Sequence, residues 1–225
     1  MKEKEIEDEL VSIRSMMERS SKFISLSGLS GILAGVYALI AAAFAYRDLY
    51  YYLPDEINPY AKIFHGVKPD DPHIVTGLFY GGDFHGIVPA LLTMAFLVLI
   101  ASIGTAVFLS ARKAKRKGQP IWSSASRALL FHMAIPLITG GILILILVFR
   151  SHYGIAAPLS LIFYGLSLIS ASSYTFSMVK YLGLCEIILG LIAACLPGFG
   201  LLFWAIGFGV LHIIYGSRMY LKYDR

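Results

Sequence analysis

At 225 residues, 57% hydrophobic and only 15% charged, with a mean hydropathy of +0.71, this chain cannot be an ordinary soluble domain. Its net charge of +5 does not mark a nucleic-acid binder, because the lysines and arginines stand at the ends of apolar runs rather than along one basic face. One helical bundle uses the whole length and leaves no room for a second folded domain.

The first 22 residues read as an amphipathic helix outside the membrane. Ile6, Leu10, Ile13 and Met17 follow a 4-3-4 spacing, which makes one narrow apolar stripe of coiled-coil type. The polar face opens with Glu3, Glu5, Glu7, Asp8 and Glu9, so it suits a partner or a second copy of the chain better than an anionic lipid surface. A six-helix domain follows over residues 23–217, ending in a short tail, 218–225.

Six apolar stretches, 23–46, 86–109, 128–149, 156–176, 179–196 and 199–216, are near the roughly 20 residues needed to cross a bilayer. They lack the alternation of barrel strands, so each is expected to be a helix that satisfies its own backbone. The fold class is therefore all-α, a polytopic six-helix membrane bundle. Fifteen of the 19 lysines and arginines fall on the side of the N-terminus, five of them between positions 112 and 117. The positive-inside rule then places both termini in the cytoplasm, with the protein in a plasma or inner membrane.

Between the first two spans lies a long outer loop, 47–85, broken by Pro54, Pro59, Pro69 and Pro72. Its His65, Asp70, Asp71, His73, Asp83 and His85 offer nitrogen and oxygen donors that suit zinc or another divalent ion, although their spacing matches no established site. A solvated loop is the plainer reading.

Small residues within the spans point to packing. Ser27, Gly31 and Gly35 form a face that lets another helix, or a second copy of the chain, come close. Pro136 followed by Gly140 and Gly141 is expected to bend the third span. Pro197-Gly198-Phe199-Gly200 makes a tight turn between the last two. An echo at a constant offset relates Gly28-Leu29-x-x-Ile32-x-x-Gly35-x-x-Ala38 to Gly183-Leu184-x-x-Ile187-x-x-Gly190-x-x-Ala193, the pattern that a parallel duplication would leave. Cys185 and Cys195, ten residues apart on one span, read as inert core thiols.

Polar residues recur at one depth. Glu186 lies seven residues into its span, roughly 10 Å deep at the helical rise. His132, His212, Ser30, Thr105, Ser170, Ser172 and Ser173 fall in the same cytoplasmic third. A carboxyl inside a bilayer is costly and usually faces a cavity or a partner. Glu186, His132 and His212, with Ser30 and Ser172, are therefore expected to line a polar, cytoplasm-facing cavity that relays protons, holds a cation or binds a polar head group. Such a cavity implies a small transporter or channel for an ion, proton or small polar solute. The alternative is a non-transporting scaffold or sensor acting through the N-terminal helix and outer loop. Cofactors are not legible.

A membrane-embedded enzyme ranks third. Gly28-Leu29-Ser30-Gly31, with Tyr37-Ala38-Leu39 beyond, resembles the nucleophile segment of the rhomboid intramembrane proteases, and the resemblance implies His212 as the base. It covers about a dozen residues. The family's serine opens its fourth span near the outer surface, whereas Ser30 lies near the inner end of the first, and the family's other motifs have no counterpart.

Overall fold

The computed structural model describes residues 13, 17, 26–52, 88–118 and 120–223. Among these every regular element is helical, and six helices are long and apolar enough to cross a membrane. They are α1 (Gly28–Tyr52), α2 (Val88–Arg116), α3 (Ser124–Phe149), α4 (Ala156–Ala171, extended at both ends by a 3-10 turn), α5 (Met178–Cys195) and α6 (Gly200–Tyr223). Their exterior is apolar: Phe96, Val107, Phe131 and Ile138 are each at least 60% exposed. Such a surface fits an integral membrane protein whose spans face lipid.

Local chemistry sets the boundaries. Gly118 ends α2 with φ +63, a left-handed conformation that glycine adopts without strain. Ser123 and Ser126 cap each other's backbone at the start of α3. The helix α3 runs through Pro136 without interruption. Gly198, at φ 92, makes the expected turn into α6. The last helix continues to Tyr223, so most of the stretch expected as a tail is helical. The first helix continues to Tyr52, carrying helical backbone into the expected loop. Apart from the helical backbone at Ile13 and Met17, the N-terminal helix lies outside the described residues.

Helix order in space is α2, α1, α6, then α4 and α5 together, then α3 against α4. Backbones meet where glycines face each other. On α1 and α6, a Cβ on Gly35 would stand 2.6 Å from the Gly209 carbonyl, and one on Gly216 would stand 2.6 Å from Ile32 N and 2.9 Å from the Gly28 carbonyl. On α4 and α5, a Cβ on Gly165 would lie 2.5 Å from the Gly183 carbonyl, and one on Gly190 would lie 2.9 Å from that of Pro158. Both copies of the echoed motif therefore do the same work: each seats its helix against an antiparallel neighbour through small residues spaced seven apart. The Ser27/Gly31/Gly35 face is thereby committed to α6 within the chain.

Lys113, from the basic run, donates a hydrogen bond of 2.8 Å to the Leu26 carbonyl and lies 5.6 Å from the Phe176 ring centroid. It ties the end of α2 to the entry of α1.

Candidate functional site

Three helices converge on Glu186. The residue sits in the middle of α5 and is 0% exposed, as is Leu161 of α4. From α6, Gly207 presents bare backbone: a Cβ there would stand 2.5 Å from both Glu186 Oε2 and Leu161 Cδ2. The absence of a side chain at Gly207 is what makes room for the carboxyl. Among the described residues, neither Glu186 oxygen has a hydrogen-bond partner.

Gly207 belongs to a π-helical segment of α6, Ala205–Leu211, an irregularity that recurs at functional sites. His212 follows it directly and is buried. Its Nδ1 lies 3.0 Å from the Gly207 carbonyl and its Nε2 lies 2.8 Å from the Tyr164 hydroxyl on α4. A carbonyl only accepts, so Nδ1 carries a proton and donates it. In the neutral ring Nε2 accepts from Tyr164. The same Nδ1 stands 3.5 Å from Glu186 Oε1, too far for a good hydrogen bond and close enough for an ion pair once the ring is charged. Taking up a second proton leaves both ring contacts in place, since Tyr164 can accept as well as donate. Trp204, Phe208 and His212 are spaced four apart along α6, and their ring centroids lie 5.2 and 5.9 Å apart in turn. Phe208 also meets Tyr164 at 5.0 Å, so aromatic rings flank the polar chain.

Tyr164, His212 and Glu186 thus form a row of three titratable groups linked by short contacts within apolar helices. The row can hold and pass a proton. A metal centre is a poorer fit, since no three His, Cys, Asp or Glu side chains cluster among the described residues.

The other residues expected at this depth go elsewhere. His132 stacks on Tyr174 at 4.8 Å, with its Nε2 2.9 Å from the phenol oxygen, a pair made between α3 and the turn after α4. Ser30 donates to the Ser27 carbonyl and Ser172 to that of Ile169. Thr105 donates to Ala101. Each hydroxyl reaches a carbonyl three or four residues back in the chain, as serine and threonine readily do, and Thr105 also lies 3.4 Å from the Tyr37 hydroxyl of α1. The open cavity expected around Glu186 is not what the structure shows, because close packing of Gly207 and Leu161 seals the carboxyl completely. Ser30 and His212, paired by the protease resemblance, are bonded to other groups. Cys185 is half-buried with Sγ 3.7 Å from the Tyr215 hydroxyl, whereas Cys195 is exposed on the bundle exterior and is no core thiol. The outer-loop candidates His65, Asp70, Asp71, His73, Asp83 and His85 lie outside the described residues.

Sequence reasoning missed Tyr164 and Gly207. A signal existed for each: Tyr164 is the sole phenol within α4, and Gly207 with Gly209 interrupts an otherwise bulky stretch of α6.

Compared with known protein families, characterised proteins and solved structures, the chain matches none.

Proposed function

We propose that the chain is a small integral membrane transporter or channel for an ion or small polar solute, with the proton as the transported or coupling species. Both termini are assigned to the cytoplasm, and the protein to a plasma or inner membrane, on the basic-residue asymmetry. The observation that carries the functional reading is Glu186: a fully buried carboxyl with no hydrogen bond among the described residues, 3.5 Å from His212. A bare carboxylate in a low-dielectric interior is costly, and a proton or a cation relieves that cost.

In this reading the described conformation is occluded. Glu186 is closed off by Gly207 and Leu161, and access requires α6 to shift. The π-helical segment gives α6 a place to do so, since helices bend where their regular hydrogen-bond ladder is interrupted.

Reconstitution into liposomes loaded with a pH-sensitive dye tests this. Under an imposed proton gradient and membrane potential, the wild type dissipates the gradient, Glu186→Gln does so far more slowly while unfolding at the same temperature in detergent, and Cys195→Ala matches the wild type. Equal rates for wild type, Glu186→Gln and protein-free liposomes would overturn proton movement and favour a scaffold or sensor.

A further inference from the structure

At the basic end of α2 the chain forms a cleft of about 520 Å³, lined by Phe108, Ala111, Arg112, Lys115, Pro120 and Ile121. We propose that this cleft binds the headgroup of an anionic phospholipid. The site is separate from Glu186 and does not depend on the transport reading.

The arrangement divides by polarity along the helix axis. Phe108, Ala111, Arg112 and Lys115 recur at i, i+3, i+4 and i+7, so they lie on one face of α2. Phe108 stands toward the middle of the bundle and Lys115 roughly 10 Å beyond it, at the helical rise. That spacing suits a lipid whose acyl and glycerol portions run along Phe108 and whose phosphate lies between Arg112 and Lys115. Pro120 and Ile121 form the opposite wall, held in place by the Ser123/Ser126 capping box that starts α3.

The charges are available. Arg112 and Lys115 have no ion-pair partner among the described residues, whereas Lys113 is turned away to the Leu26 carbonyl. Phe108 and Ile121 are 66% and 49% exposed, and Trp122, which follows Ile121 in the chain, is 68% exposed, the amphipathic aromatic expected at a headgroup boundary. Two cations above an apolar floor at a span end fit a group that is anionic at one end and greasy at the other. A free phosphate would use the cations and leave the apolar walls without a role, so the lipid is the better occupant.

Native mass spectrometry of the full chain in detergent, titrated with short-chain phosphatidylserine or phosphatidylcholine, tests the proposal. The wild type retains phosphatidylserine in preference to phosphatidylcholine. Replacing Arg112→Gln with Lys115→Gln lowers phosphatidylserine affinity roughly thirtyfold, at the usual worth of two interfacial charges. The double variant Arg218→Gln, Lys222→Gln, at the same end of the bundle, leaves it unchanged. Phe108→Ser also weakens the lipid, and inorganic phosphate at equal concentration does not displace it. Equal retention of both lipids, an equal loss in the two charge variants, or displacement by inorganic phosphate would each overturn the proposal. Since Arg112 and Lys115 are exposed, unchanged thermal unfolding of their variant confirms that the loss is one of binding.

Discussion

Gly207 faces Glu186 so closely that a methyl group on its Cα would stand 2.5 Å from Oε2, with Leu161 equally near on the other side. Glycine normally costs a helix about 1 kcal/mol relative to alanine, yet here a Cβ would have to push two buried side-chain tips aside. Gly207→Ala is expected to destabilise the bundle by about 1–3 kcal/mol through overpacking. It should also displace the carboxyl from His212. Thermal unfolding in detergent measures the first effect and liposome flux the second. An unchanged or raised melting temperature would show that Glu186 moves aside freely.

The glycine pairs make a sharper contrast. A Cβ at Gly183 would meet the Gly165 carbonyl at 2.7 Å, and backbone cannot yield as a side-chain tip can. Gly183→Ala should therefore force α4 and α5 apart and lower stability by about 1–3 kcal/mol. At Gly141 and Gly104 nothing lies within 4 Å, so alanine there should be neutral or should stabilise by up to about 1 kcal/mol. The three variants, compared by unfolding temperature in one detergent, should separate into these two groups.

Tyr164→Phe removes the hydroxyl from His212 Nε2 and leaves the ring packing on Phe208 in place. Interhelical hydrogen bonds in membranes average about 0.6 kcal/mol, so the fold should hold. Proton flux should fall nonetheless, because the row of titratable groups loses its outer member. Full flux in this variant would confine the relay to Glu186 and His212.

Ser151 follows α3 in the left-handed region at φ 64, and His152 N bonds back to the Leu147 carbonyl at 2.9 Å. This is a helix-ending conformation that glycine adopts without a Cβ penalty. Ser151→Gly should raise stability by about 1 kcal/mol, the cost of that conformation for a residue with a side chain. A lower unfolding temperature would mean that the serine hydroxyl contributes more than its backbone strain removes.

Reporter fusions after Lys117 and after Arg225 should both read as cytoplasmic, and one at Lys68 as exterior. The 15-to-4 division of basic residues is the reason. A cytoplasmic signal at Lys68 would invert the assigned orientation.

The six helices and the turn at Gly198 were legible in the sequence because they depend on local properties: the length of an apolar run, the conformation open to glycine, the polarity that ends a span. The small-residue faces were legible as faces for the same reason. Depth could also be counted, and it set Glu186, His132 and His212 at one level. What depth cannot supply is the angle each helix turns toward its neighbours. Only the tertiary packing decided that Gly35 meets Gly209 and Gly183 meets Gly165, since many glycine pairings satisfy the same pattern. It also sent His132 to Tyr174 while bringing His212 to Glu186. Whether a buried carboxyl faces water or is sealed depends on the shape of residues from other helices. Here the missing side chain at Gly207 admits the carboxyl, and Leu161 closes over it.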